Sequence, residues 1–200
     1  MRRAEMEEQA SRSEPPPLRQ QVDLGDALLP EHGVGPLFHR RYRVAIDKAN
    51  MRAAELMRRI QADPNAVSPK EFARFHKVGG VPGRMNLGDE YLIHMPGPWN
   101  GPVRVVDLTA KTFRFMTLKG HLEAGQIEFR ATDDVDLILE IESWARSGDR
   151  LSHLLYDNLR MAKEIQLHMW TSTLERVVKL SGGVRHDLIS IETHRTVVDG

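Results

Sequence analysis

From Asp149 to Leu180 the chain runs without glycine or proline, and that run limits what the sequence can fold into more than any other feature. Leu151, Leu155, Asn158, Ala162, Ile165 and Met169 form one stripe, continued by Ser172, Leu174, Val177 and Val178. Spacings of three and four residues mark the buried face of an amphipathic helix. Asp149 stands where an N-cap is needed, and Gly182-Gly183 where a helix stops. At ~1.5 Å rise per residue such a helix is about 45 Å long. It needs an equally wide surface against which to bury its stripe.

That surface lies upstream. In Phe38–Ile46 the residues Tyr42, Val44 and Ile46 alternate with Arg41, Arg43 and Ala45, the period of a strand. Two short helices are expected next. In "DKANMRAAELMRRIQAD", Met51, Ala54, Leu56, Met57 and Ile60 fall at helical spacing, with Asp47 as cap and Pro64-Asn65 as stop. In "SPKEFARFHKVGG", Ser68 with Glu71 three residues on reads as a capping box, with Pro69 at the first helical position. Then come "DEYLIHM", "VRVVDLT", "TFRFMTL", "QIEFRAT" and "DLILEIESWA", short alternating segments divided by turn signals at Asn100-Gly101 and Asp133-Asp134. Such a series predicts an antiparallel meander.

The expected fold class is α+β. A curved antiparallel sheet of about six strands wraps around one long C-terminal helix, with two short helices after the first strand. This is a helix-grip fold, and it resembles the START, birch-pollen-allergen and polyketide cyclase superfamily. A narrower resemblance covers residues 88 to 170. Thr117, Leu118, Gly120, His121, Gly125 and Phe129 fit the Thr-Leu-x-Gly-His-x-x-x-Gly-x-x-x-Phe pattern of an uncharacterised family of bacteria and plants, known as a domain of unknown function. Trp144-Ala145-Arg146, Tyr156, Arg160 and Gln166 continue the likeness. It implies the fold and brings no activity.

Residues 1–36 are polar, contain Pro15-Pro16-Pro17, and are expected to be a flexible tail, although "VDLGDALLP" has apolar residues that could dock. The helix-grip domain is assigned to 37–182, and 183–200 to a C-terminal tail or edge strand. The composition narrows function by exclusion. Lys+Arg 28 equals Asp+Glu 28, which speaks against a nucleic-acid partner. Zero cysteines remove disulfides, thiolate catalysis and Cys-ligated zinc. No apolar stretch reads as a secretory signal or a membrane span, so no stable membrane insertion and a cytoplasmic location are expected.

Four groups of residues could carry function. His121 and Glu123, between Gly120 and Gly125, have the spacing of two ligands of an iron site, of an acid/base pair, or of a shaped turn. Arg114, Glu128, Arg130, Glu140 and Glu142 are cross-strand ion pairs on a solvated face, or cavity-lining groups if the sheet has the opposite phase. Tyr156, Asn158 and His153 mark the start of the long helix, where Asn158 interrupts the apolar stripe. Met116, Met161, Met169, Phe113, Phe115, Phe129 and Trp170 fill a core or line a plastic cavity.

The leading expectation is a small hydrophobic or amphipathic ligand held between sheet and helix. Trp99, Phe115, Phe129, Leu139, Ile141, Asn158, Met161, Ile165 and Met169 are its expected contacts. No cofactor and no metal are expected, and a homodimer is compatible with the sequence. One alternative is a cyclase, dehydratase or hydrolase using His121, Glu123 or Tyr156 as acid/base. Another is an interaction module with a vestigial cavity.

Overall fold

The computed structural model describes residues 2–7, 14–19, 21–96, 100–133, 135–148 and 156–197, with side chains from residue 14 onward except those of 156–163. The strands are β1 (Arg2–Glu7), β2 (Val34–Asp47), β3 (Arg74–Lys77), β4 (Glu90–His94), β5 (Asn100–Leu108), β6 (Thr112–Thr117), β7 (Glu123–Asp133), β8 (Leu137–Ser147), β9 (Val184–Arg185) and β10 (Ser190–Thr196). Helix α1 spans Ala53–Ala62 and the long helix α2 spans Tyr156–Ser181. All ten strands join one sheet, ordered β1-β10-β2-β8-β7-β6-β5-β4-β3, with β9 pairing β2. The meander β4 to β8 is antiparallel throughout. The six expected strands are present, β1 and β3 are additional, and β9 and β10 lie in 183–200, where a tail or an edge strand is expected. The Asp149 cap lies outside the described residues.

One face of the sheet, here the inner face, is apolar and covered by the helices. Tyr42, Val44 and Ile46 of β2, Phe113 and Phe115 of β6, Phe129 and Ala131 of β7, and Leu139 and Ile141 of β8 lie within one buried cluster. Helix α1 adds Ala53, Leu56, Met57 and Ile60, at spacings that place them on one side. Its first free amide, from Ala53, donates to Asp133 Oδ1 at 2.7 Å. Asp133, at the end of β7, therefore does the capping expected of Asp47, which sits too far before the helix start. From Gln166 onward the inward stripe of α2 is Met169, Trp170, Thr173, Leu174 and Val177. It is turned slightly from the expected stripe, so Ile165 and Ser172 are only half-buried.

Two helices do follow β2, but the second is a single 3-10 turn at Pro64–Ala66. "SPKEFARFHKVGG" is not helical. The Ser68 hydroxyl donates to the Ala73 carbonyl at 2.6 Å instead of accepting from a helix start. The Asn65 side chain clamps both backbone groups of Phe75, at 2.8 Å each, and residues 74–77 become β3 against β4. Asn100-Gly101, read as a turn, opens β5 in register with Ile93 and His94.

The opposite, outer face carries the charges. Arg114 contacts Glu128 at 2.6 Å, Arg130 bridges Glu128, Glu140 and Glu142, and Arg41 joins Glu142 to Glu192. This is the face expected to be solvated, yet Asp107, Arg114 and Glu128 are each 1% exposed. The chain before β2 covers them. Residues 1–36, expected to be a flexible tail, include β1, which pairs parallel with β10. They also include a strap over β5 and β6. Leu18, Val22, Ala27 and Leu29 pack on Val106 and Met116. Arg114 donates to the Pro16 carbonyl at 2.6 Å, Arg19 reaches Asp107 at 3.1 Å, and Arg104 reaches Asp26 at 2.6 Å. Leu28 and Thr117 exchange backbone and hydroxyl hydrogen bonds at 2.8 and 3.0 Å. Composition alone hides this docking, because the partners are charges buried in the sheet. Strand β10 lies between β1 and β2 and is not an edge.

A surface clip fixes the turn after α2. His186 donates its backbone N–H to the Ala45 carbonyl, and its Nδ1 lies 2.7 Å from Asp47 and 3.4 Å from Asp136. Among the described residues this is the one group with metal-ligand composition, and its members pair with one another. The hydrogen bond to Asp47 raises the His186 pKa above 6.5 and lowers that of Asp47 below 3.8. A raised histidine pKa stabilises the fold in full below the unfolded-state value, and the effect disappears as pH rises through the folded-state value. Wild type should therefore exceed a His186→Ala variant in urea midpoint at pH 5–6, with the gap closing toward pH 9. Parallel curves across that range would refute the clip.

Candidate functional site

The segment "TLKGHLEAG" is the β6–β7 hairpin, and its geometry answers the direction of His121. Gly120 adopts φ +96°, which a residue with a Cβ rarely adopts, and turns the chain there. The Glu123 backbone N–H donates to His121 Nδ1 at 2.9 Å. The other edge of the ring lies over β5, where a Cβ on Gly101 would sit 2.8 Å from Nε2. Burial pushes the imidazole pKa below its ordinary value, so the ring is neutral and its Nδ1 is free to accept. His121 thus holds the hairpin's own backbone. Gly125 serves close packing, since a Cβ there would come 2.0 Å from the Trp144 carbonyl oxygen of β8.

Glu123 does face the helix. At the start of β7 it shares the phase of Ile127 and Phe129, and its Oε2 accepts from Gln166 Nε2 of α2 at 2.7 Å. The Gln166 Oε1 accepts in turn from Arg40 of β2 at 3.1 Å. Arg40 shares the phase of Tyr42 and Val44, is 8% exposed, and lies 4.7 Å over the Phe38 ring. The hydrogen bonds orient the amide, because only this assignment lets its nitrogen meet the carboxylate and its oxygen the guanidinium. Three elements thus bring a cation, an amide and an anion together on a mostly apolar inner face.

The other end of the inner face is filled. Beside α1 and β3 a partly open space lined by Ile60, Val67, Phe75, Phe115, Phe129 and Trp170 amounts to about 10 Å³, room for about one water. Phe115, Phe129, Leu139, Ile141 and Met169 are members of this packed core. Burial falls toward Arg40 and Glu123, where Ile127 and Ser143 are half-buried while Phe129 and Ile141, one step along their strands, are buried. Trp99 and the side chains of Tyr156, Asn158 and Met161 lie outside the described residues. Arg40 escaped the sequence reading, though its signal is present: Phe38, Arg40, Tyr42, Val44 and Ile46 share one strand parity, so an arginine occupies a core phase.

Residues 7–175 match the model of a family described as a domain of unknown function, DUF1990. No curated protein matches the sequence. Among solved structures, the di-domain ARO/CYC StfQ from the steffimycin biosynthetic pathway matches at 11% identity and a TM-score of 0.54. The match covers 76% of this chain and 52% of that one, so this chain spans about half its length. Ginseng major latex-like protein 151 from Panax ginseng matches at 12% identity and a TM-score of 0.48, covering 72% and 97% of the two chains. A norcoclaurine synthase point mutant from Thalictrum flavum, in complex with a transition-state analogue, matches at 11% and 0.48, covering 74% and 95%. The likeness to StfQ shows the fold alone, a largely antiparallel sheet packed on one long C-terminal helix. Among the described residues no helix is long and apolar enough to cross a membrane.

Proposed function

The chain belongs to the DUF1990 family, a domain of unknown function, so its activity has to come from its site, and we propose that it binds a small amphipathic molecule between the inner sheet face and α2. The observation that carries this reading is the Arg40–Gln166–Glu123 group, polar and charged, on a face that is mostly apolar. Ligand sites are mostly apolar with a few convergent polar groups that set orientation. Because the end beside α1 is filled, the reading assigns the ligand to the opposite end, over half-buried Ile127 and Ser143. Glu123 is the carboxylate that an acid/base mechanism would use there, since His121 accepts from backbone. Native mass spectrometry of gently purified protein, with titration of an environment-sensitive apolar dye, tests the proposal. Saturable one-to-one dye binding displaced by a fatty alcohol is the expected result. Absence of both a bound species and saturable dye binding would overturn it.

A second reading, an interaction module with a vestigial cavity, is favoured by the void of about 10 Å³. It expects no dye binding and a concentration-dependent mass by light scattering.

A further inference from the structure

Among the buried arginines of the described residues, Arg40 is the exception to carboxylate pairing. The other arginines buried in the sheet have carboxylate partners: Arg114 has Glu128 at 2.6 Å, and Arg104 has Asp26 and Glu90 at 2.6 and 2.5 Å. Arg40 is as buried as Arg104, at 8% against 9% exposure. Among the described residues no carboxylate lies within ion-pair distance of it, and its hydrogen-bond partner is the neutral Gln166. A guanidinium cannot shed its proton and carries five N–H donors. A buried charge without a counter-ion is costly, and such groups are normally paired. The Phe38 ring face offsets part of that cost and no more. Glu123 stands one amide away, bound to Gln166; the contact with Gln166 is the one guanidinium hydrogen bond among the described residues, and the other nitrogens are not among the atoms sealed from solvent without a partner.

We propose that those donors hold the carboxylate of the ligand. This rests on the binding reading above and names the ligand's polar end as a monoanionic, planar, two-oxygen group. A guanidinium matches such a group with two parallel hydrogen bonds. A phosphate dianion fits less well, because one cation faces it while the Glu123 carboxylate stands close behind Gln166. Ser143 and Thr193 flank Arg40 in register on the neighbouring strands β8 and β10, and their hydroxyls can donate to the carboxylate's free lone pairs. The apolar part of the ligand then runs over Ile127 toward the closed core.

Calorimetric titration of the full chain with dodecanoate and with dodecanol at pH 7.5 separates the charge from the alkyl chain. Wild type should bind the acid at least about tenfold more tightly, the size of one hydrogen bond to a charged group. Arg40→Gln should bring the acid down to the affinity of the alcohol and leave the alcohol within about twofold. Arg40→Lys should keep part of the preference. If Arg40→Gln fails to fold, as judged by its melting curve, Thr193→Val provides the second variant and should reduce acid binding alone. Equal binding of acid and alcohol by wild type, or a preference that survives in Arg40→Gln, overturns the carboxylate assignment and leaves the binding module standing. Binding of neither ligand, together with no dye binding, overturns both.

Discussion

Arg114→Ala should destabilise the fold by about 3–5 kcal/mol, the loss that follows when one member of a buried ion pair is removed, lowering the melting temperature by roughly 10 °C for a chain of this size. Its Nε and Nη2 both donate to Glu128 Oε2, at 3.0 and 2.6 Å, and both side chains are 1% exposed. Removing the cation leaves Glu128 without that partner, and Asp107, 3.8 Å from Arg114, keeps Arg19 alone. The Pro16 carbonyl also loses its donor, so the strap over the outer face should become a faster target for limited proteolysis. A double variant, Arg114→Met with Glu128→Leu, takes out both charges and should lose less than the single one. Guanidinium melts of the three proteins decide the matter. A loss under 1 kcal/mol for Arg114→Ala would mean that water already reaches the pair.

Local signals and distant ones fared differently in this chain. Strand phase is a local property, and the alternation in Tyr42–Ile46, Ile127–Ala131 and Leu137–Ile141 groups on one side the residues that pack in or against the core, while which side faces the helix stays open in the sequence. The capping box at Ser68 is equally local and still failed. The Asn65 clamp on Phe75 and the pairing of Arg74–Lys77 with Tyr91–His94 outweigh one hydroxyl and one carboxylate in a short segment. Asn100-Gly101 failed for a related reason: its glycine makes room for the His121 ring instead of bending the chain. Strands β1 and β10 come from opposite ends of the sequence and pair with each other, so no window of neighbouring residues contains the pattern that defines them. The outer-face strap depends on Arg104, Asp107 and Arg114, and of these Arg114 reads from sequence as a charge on a solvated face.

The site was legible in fragments. "GHLEAG" drew attention through its histidine, whereas the group turned toward the helix is Glu123, two residues on. Gln166 entered only through a family likeness, and Arg40 stood inside a strand whose phase was already correct. What the sequence lacks is the helix rotation that brings Gln166 between them. A turn of α2 by one residue exchanges Ile165 for Gln166 on the inner side, and apolar spacing alone does not separate the two.

Phe129→Ala should cost about 3–5 kcal/mol, as aromatic deletions from packed cores do. Phe129 stacks on Phe113 with 4.6 Å between centroids and meets Trp170 of α2 edge-on at 5.6 Å, so one ring ties the centre of the sheet to the long helix. It also borders the void of about 10 Å³. Without the ring that void should grow to on the order of 100 Å³, and a dry apolar cavity of such size binds small aromatic molecules. Benzene should therefore raise the melting temperature of the variant and leave wild type unchanged, by binding only the folded state. The size of the loss separates two pictures of the inner face. A full 3–5 kcal/mol means that the α1 end is a structural core and confines any ligand to the Arg40 end. A loss below about 1.5 kcal/mol would mean that the ring is loosely held, and ligand space would then extend beneath Trp170 to α1.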